Sequence, residues 1–274
     1  MSSNKRARAA IIGPGRVGQT LARLAKALGY ELETVVARTP ATARAAARRL
    51  GARQVCSVDE KFPPPQLLLI ATPDDAIVET AAKLAARDQN WRHTVVLHCS
   101  GAFGSELLAP LSEQGAATGS LHPLKSFATP ISKLTELHGV HWCIEGDARA
   151  VRLARRLARH VNGKLLYIDA KMKPIYHAAA VMACGHLVAL VDISLTLLAE
   201  CKIERSRAME MLMPLIEGTV HNITQSGTEA ALTGPFARHD YKTINRHLQA
   251  LIKLKHDYMT IYSLLGRHSL RMRR

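Results

Sequence analysis

Twelve residues into the chain, a short apolar run ending at Ile12 opens directly into Gly13-Pro14-Gly15-Arg16-Val17-Gly18. Glycine-rich turns are common, and this spacing constrains the fold only through what flanks it. Upstream, Arg8 to Ile12 reads as a short, fully buried parallel strand. Downstream, Val17, Leu21, Leu24, Ala25 and Leu28 recur at helical spacing and form one core-facing stripe. Gly29 closes that helix, and Leu32 to Ala37 reads as the next strand. Strand, glycine turn, helix and second strand make the opening unit of a doubly wound α/β sheet. There Gly13 permits the tight turn, Gly15 lets a diphosphate approach the backbone, and Gly18 lets helix and strand pack closely.

The helix N-terminus offers unpaired N–H groups and a partial positive charge to such a diphosphate. About twenty residues beyond Gly18, Arg38-Thr39 stands where an NAD site would carry Asp or Glu for the ribose 2′-hydroxyl. An arginine there suits a 2′-phosphate, which it binds through paired, charge-assisted hydrogen bonds. Thr39 adds a hydroxyl, and Arg44 follows on the next helix. The expected cofactor is therefore NADP(H), held by Gly13, Gly15, Arg16, Val17, Gly18, Arg38 and Thr39.

The alternation of strands and helices continues. Gln66 to Ala71 is a short apolar strand running into Thr72-Pro73-Asp74-Asp75, good helix-starting residues ahead of Ile77 to Ala86. His93 to His98 is another strand, ending in Cys99-Ser100-Gly101-Ala102. Ligands of open α/β sheets sit beyond the carboxyl ends of strands. Ala71, Thr72, Pro73 and Ser100 are thus added to the cofactor set, with His98 and Gly101 facing substrate. Ala117 to Leu121 reads as a further strand leading into His122-Pro123-Leu124-Lys125; Val140 to Glu145 and Lys164 to Ile168 flank a basic helix. From Lys171 onward the apolar spacing is helical, with helices near 174–201, 205–225 and 240–265 and a Gly234-Pro235 break between the last two. The expected architecture is a Rossmann-like, mostly parallel sheet domain over residues 1–168, followed by an all-α domain over 169–274.

Size and composition fit two globular domains: 274 residues, 47% hydrophobic and 22% charged. Met1 to Arg8 is polar and basic, and reads as a loose tail instead of a signal peptide. The apolar stretch Ala178 to Leu198 is interrupted by Gly185, His186, Asp192, Ser194 and Thr196, and is expected to be a buried core helix, not a membrane span. Five scattered cysteines without a Cys-x-x-Cys indicate reduced thiols and a cytoplasmic setting. The net charge of +15 would suit nucleic acid, but aromatics are only 4% and are not interleaved with basic stretches. Arg149, Arg152, Arg156 and Arg159 form one stripe opposite Ala154, Leu157, Ala158 and Val161, which reads as a solvated helix face. The basic run from Arg267 to Arg274 reads the same way. His138, His141 and Cys143 lack a fourth ligand, so no metal is expected. Cys99 beside Ser100 has no assignable base and reads as a small buried thiol.

Five motifs together carry a resemblance: Gly13-Pro14-Gly15-Arg16-Val17-Gly18, His98-Cys99-Ser100-Gly101, His122-Pro123-Leu124, Tyr176-His177-Ala178-Ala179-Ala180-Val181 and Leu232-Thr233-Gly234-Pro235. Over nearly the whole chain they resemble a bacterial family that joins a Rossmann-like NAD(P)-binding domain to a C-terminal helical domain of unknown function. That family is similar in plan to pyrroline-5-carboxylate, ketopantoate and deazaflavin-dependent NADP reductases and to 6-phosphogluconate-type dehydrogenases. The resemblance implies an NADP-dependent oxidoreductase, dimeric through its helices, and no particular substrate. The family tends to have Asn where this chain has Gly185, an aromatic at His186, and Gly at His239.

Hydride exchange with a small carbonyl or imine needs a proton donor and a polar group holding the polarised atom. Lys173 and His177 lie four apart at the start of a helix, hence on one face. By resemblance to enzymes that use a lysine with an asparagine four residues on, Lys173 is the expected proton donor and His177 its orienting partner. His122, after a strand, is the second candidate donor. Lys125, Tyr176, Arg238 and Asp240 complete the expected substrate contacts, in a cleft between the domains. A different class of protein, a nucleotide-sensing module that has lost its chemistry, would keep the glycine turn and dispense with Lys173, His177 and His122.

Overall fold

The structure is a computed structural model that describes residues 6–254 and 257–272. Most of the expected tail Met1–Arg8, the pair 255–256 and the last two arginines lie outside the described residues. Contact clustering divides the chain into two compact units, Met1–Cys184 and Gly185–Arg274. The first unit thus takes in residues 169–184, of which Lys173, Tyr176 and His177 contact groups on β6 or in the turn after β5.

The first unit is one eight-stranded sheet. Its strands are β1 (Arg8–Ile12), β2 (Glu31–Val36), β3 (Gln54–Cys56), β4 (Leu67–Ile70), β5 (Val95–His98), β6 (Ala117–Pro123), β7 (His141–Gly146) and β8 (Lys164–Tyr167). Their spatial order is β3-β2-β1-β4-β5-β6-β7-β8. The first six strands are parallel in the doubly wound 3-2-1-4-5-6 order. The chain reverses direction at β7, which pairs antiparallel with β6 and parallel with β8. The edge strand β3 was not expected. Three residues with an exposed Val55 leave no period to read.

Helices α1 (Arg16–Ala27), α2 (Pro40–Leu50), α3 (Ile77–Ala85), α4 (Ala109–Glu113) and α5 (Ala148–His160) cover the sheet. One face carries the larger core, in which Leu21 and Leu24 of α1, Ala43 and Leu50 of α2, and Leu153 and Leu157 of α5 meet Ile11, Val35, Leu69, Leu97 and Ile144. The other carries Ile77, Ala81 and Leu84 of α3 with Leu108 and Leu111 against Ile12, Leu68, Ile70 and Val96. The arginine stripe of α5 largely faces solvent as expected: Arg152, Arg156 and Arg159 are exposed, whereas Arg149 is half-buried and donates to the carbonyls of Arg92 and Thr94 at 2.7 and 2.8 Å. At the end of this unit stands α6 (Lys173–Ala183), with Pro174 in its first turn.

The second unit is helical: α7 (Gly185–Glu200), α8 (Arg205–Ala231), α9 (Gly234–Ala237), α10 (Tyr241–Leu251) and α11 (Tyr258–Arg271). The helix expected over 174–201 is interrupted at Cys184 (φ −116°, ψ −68°). The stretch 170–200 is long and apolar enough to cross a membrane by length and composition, yet only 6% of its most apolar window is buried. It is therefore not the buried core helix expected from sequence. Ile175, Met182 and Val188 are each at least 65% exposed, because the described residues supply no apolar surface to cover them. The expected helix 205–225 runs on to Ala231 through a break at Gly227 (φ 77°, ψ 172°). The single helix expected over 240–265 is two, with Asp240 capping α10 through its carboxylate on Thr243 N–H.

Leu157 is fully buried between α5 and the sheet. Leu157→Ala is expected to cost about 2–5 kcal/mol, read as a lowered urea midpoint with an unchanged slope; a midpoint within error of wild type would mean that this face is not the core.

Candidate active site

At the head of α1 the glycines are held by close approach. Gly13 has φ 81°, and a Cβ there would stand 2.5 Å from the Ala71 carbonyl oxygen at the end of β4. A Cβ on Gly18 would stand 2.2 Å from Gly13 O, whereas Gly15 has nothing within 4 Å and faces open space. The first helical hydrogen bond runs from Gln19 N–H to Gly15 O (3.0 Å), and no acidic residue occupies the first turn. Three amides and the positive end of the helix are thus available to an anion. Beside them Thr72 Oγ1 is buried without a partner. Arg38 is exposed just past β2. The acidic residues of β2 are engaged at its opposite end, Glu33 with Arg8 at 3.1 Å and Glu31 with Arg53. These residues fit a dinucleotide. Thr39 is less free than expected, since its hydroxyl caps α2 (Thr42 N–H, 3.3 Å) and pairs with Thr42 Oγ1 at 2.8 Å. Arg16 reaches the Phe127 carbonyl at 3.4 Å, while Arg44 is exposed on α2.

A second polar group lies at the carboxyl ends of β5 and β6. Side chains alternate along a strand, so the face of β6 opposite Leu121 carries Thr118, Ser120 and His122. Register sets His98 of β5 beside Ser120, and Glu145 and Cys143 of β7 beside Ser120 and His122. Onto this row comes Lys173, the first residue of α6 and fully buried. Its Nζ donates to Ser120 Oγ at 2.6 Å and to the Ser100 carbonyl at 3.1 Å, with Glu145 Oε1 at 3.8 Å. Burial lowers its pKa and Glu145 opposes that shift. The other Glu145 oxygen accepts from Ser105 Oγ at 2.8 Å. The ammonium of Lys173, the expected proton donor, is enclosed by protein oxygens, which the desolvation cost of a buried cation requires.

One turn along α6, Tyr176 and His177 meet His122. Tyr176 OH lies 2.9 Å from His122 Nδ1, and the His122 and His177 rings are edge-on with centroids 5.6 Å apart. His177 Nδ1 is buried without a partner. Both imidazoles crowd Gly101, where a Cβ would come within 2.4 Å of His177 Nδ1 and 2.8 Å of His122 Nε2. Burial, reinforced by His177 and Lys173, lowers the His122 pKa to about 4, so its ring is neutral at pH 7. Burial also pushes the Tyr176 phenol up to about 12.

The remaining expected residues divide clearly. His98 is not a substrate contact: it is 1% exposed, its Nε2 pairs with the Gly104 carbonyl at 2.8 Å and its Nδ1 accepts from Ser100 N–H at 3.2 Å. Burial lowers its pKa to about 4. Ser100 is buried, and its hydroxyl accepts from Ala102 and Phe103 N–H, so it shapes the turn and is not offered to a cofactor. The Cys99 thiol, pushed up to about 12 by burial, stays protonated. Lys125 is half-buried after β6. Arg238 is exposed, and the Asp240 carboxylate serves as a helix cap. Ser120 and Glu145 were missed from sequence, although the alternation in Ala117-Thr118-Gly119-Ser120-Leu121-His122 and Trp142-Cys143-Ile144-Glu145 marks the polar face.

Residues 2–123 match the Rossmann-like domain model and residues 140–269 match the model of a domain of unknown function, DUF2520. The chain therefore joins a Rossmann-like N-terminal domain to a DUF2520 C-terminal region. No curated protein matches it. A Bacteroides fragilis structure described as a "putative NADP oxidoreductase" is 20% identical, with 97% of this chain and 98% of that one covered and a TM-score of 0.81. A reductive aminase from Aspergillus terreus in complex with NADPH is 17% identical, with 97% and 94% covered and a TM-score of 0.66. A prephenate dehydrogenase from A. aeolicus in complex with NAD+ is 16% identical, with 99% of each chain covered and a TM-score of 0.55. At these identities the likeness establishes the fold.

His98 and His122 are held neutral down to about pH 4, against an ordinary value of 6.5. Between these values the unfolded chain binds protons that the native chain does not, so their contribution is complete above pH 6.5 and lost as pH falls. At about 1.4 kcal/mol per pKa unit, acid should lower the stability by several kcal/mol between pH 6.5 and 4. The urea midpoint is expected to drop across this window and to drop less in His122→Asn; a flat wild-type midpoint would contradict the buried, neutral histidines.

Proposed function

We propose that this protein is an NADP(H)-dependent oxidoreductase that exchanges a hydride with a small carbonyl or imine substrate. The observation that carries this reading is the His122–Tyr176–His177 cluster at the carboxyl end of β6, on the sheet whose first turn fits a dinucleotide. Gly13, Gly15, Arg16, Val17 and Gly18 would hold the diphosphate at the head of α1, with Ala71, Thr72 and Pro73 beside it. Arg38 would bind the 2′-phosphate, which an NAD-type carboxylate would repel. When bound, the cofactor supplies the hydride at its nicotinamide ring.

The chain's own residues hold the polarised substrate atom. The Tyr176 phenol, protonated throughout the neutral range, lies 2.9 Å from His122 Nδ1; as the donor there it would leave the ring proton on Nε2. A neutral imidazole donor of this kind polarises a carbonyl or imine without the desolvation cost of a buried cation. His177, whose Nδ1 has no partner, supplies the second polar contact. Tyr176 fixes the tautomer, and Gly101 leaves room for both rings.

The protein is also proposed to act as a homodimer in the cytoplasm. Among the described residues of the helical unit only Leu195, Ala208, Ala237, Ile244, Leu251 and Gly266 are buried, while Val188, Met211, Leu215 and Val220 are at least half exposed. Ninety residues with so small a core are not expected to stand alone. A second copy provides a matching apolar face, and the five free cysteines suit a reducing compartment.

Screening NADPH oxidation against keto acids, imines and ketopantoate-like compounds tests the activity. His122→Ala and His177→Ala should each lower turnover about a hundredfold and leave NADPH affinity unchanged; wild-type turnover in both would remove the cluster from the chemistry. NADPH binding with no turnover of any compound would favour a sensing module. Arg38→Asp should weaken NADPH about ten- to a hundredfold and favour NADH; equal wild-type affinity for NADH and NADPH in a fluorescence titration would refute the role of Arg38. Light scattering should give twice the chain mass, and Leu215→Glu should lower it; recovery of the wild-type chain with vesicles would instead point to a membrane surface.

A further inference from the structure

We infer that Lys173, Ser120 and Glu145 form a buried positioning network that clamps the Ser100–Gly101 turn beneath the His122–His177 pair, with Lys173 acting through that turn instead of touching substrate. The inference rests on the proposed role of the two histidines and assigns the residues that hold them in place.

The geometry is that of a clamp. Lysine has three donors and no acceptor. Two donors are spent on Ser100 O and Ser120 Oγ, and the third has Glu145 Oε1 within ion-pair range. Ser120 O–H is then free to serve as a donor, and Glu145 ties in the following 105–108 turn through Ser105. The same loop is held again by His98 on the Gly104 carbonyl, by Glu106 on Gly104 N–H at 3.0 Å, and by Ser100 Oγ on two backbone amides. Gly101 sits in the middle of this lashing, in contact with both imidazoles. Shifting the Ser100 carbonyl therefore shifts the surface on which His122 and His177 rest. A buried lysine used only for stability would need no such link. Here its two hydrogen bonds join the turn to the very strand that carries His122.

Charge completes the clamp. The titratable groups that interact with Lys173 are Glu145 and Cys143 from β7, Glu106 from the 105–108 turn, Asp74 after β4, His98 from β5, Cys99 just after it, and His122 from β6. Those facing His122 are Tyr176, His177 and Lys173 from α6, with Cys143 paired beside it on β7. Burial first, and then His177 and Lys173, lower the His122 pKa and favour the neutral ring that the proposed chemistry uses.

Two measurements that need no turnover test the network. In a double-mutant cycle, Lys173→Met and Glu145→Leu should each lower the melting temperature, and the double variant should recover part of the loss, because the pair is buried together; strictly additive losses would overturn the network. In the full-length protein, imidazole nitrogen NMR should show His122 titrating nearer its ordinary value in Lys173→Met, by about half a unit or more; an unmoved titration would overturn the coupling. Ser120→Ala, which removes one hydrogen bond and no charge, should lower kcat about tenfold with KM for NADPH unchanged. Wild-type kcat in Ser120→Ala would overturn the positioning role. If no substrate is turned over at all, the proposed activity fails while the cycle and the titration still decide the network.

Discussion

The sheet domain's functional end is organised around one enclosed ammonium. Removing a lysine from water is expensive, and that cost is met only where oxygen ligands and an opposite charge are already in place. Lys173 finds them on three separate pieces of chain: the turn after β5, the face of β6 and the face of β7. Pulling α6 away would leave Glu145 and Ser120 facing an empty site and would return the cation to solvent. The start of α6 accordingly belongs to the sheet unit.

The same sheet serves two purposes because its faces differ. One is apolar along its whole width, from Leu32 and Val35 through Leu97 to Ile144. The other is apolar only as far as Ile70 and Val96, then turns polar at His98, Ser120, His122 and Glu145. The reversal at β7 matters here. An antiparallel neighbour sets Glu145 directly opposite Ser120 and Cys143 opposite His122. Polar side chains in this row bond to one another or to backbone, as buried groups must. Two buried atoms here lack a hydrogen bond: Glu145 Oε1, which has only the Lys173 ammonium at 3.8 Å, and His177 Nδ1 of α6, beside Gly101. An unsatisfied buried nitrogen beside a neutral imidazole is costly to stability, and such a cost is most readily understood as belonging to a site.

How much was legible in the sequence follows from how local each signal is. The glycine turn, the strands from β1 to β8 apart from β3, and the helices α1 to α3 and α5 were readable because their periods and turn residues lie within a dozen positions. Lys173 and His177 were readable as a pair because four residues make one helical face. Their environment was not. The partners of Lys173 lie 73 and 53 residues away, and only strand register brings them together. A histidine at a strand end was read as facing ligand. His122 stands beside Tyr176 and His177, whereas His98 turns inward to hold a loop. The difference depends on which carbonyl lies within reach, and no local pattern carries that information.

The helical unit shows the opposite limit. Its apolar spacing announces helices, but a period says which face seeks cover and not what covers it. The long apolar stretch breaks at Cys184, directly before Gly185, which the sequence shows as an interruption but not as the end of a helix. One departure from the family pattern does have a local physical reading. His239, where the resemblance drawn from the sequence implies glycine, has φ 54°. A side chain there bears the left-handed strain that glycine avoids. His239 lies 3.4 Å from the Tyr241 hydroxyl, and its own N–H reaches the Phe236 carbonyl at 3.3 Å. Those contacts offset part of the strain and close the α9–α10 turn.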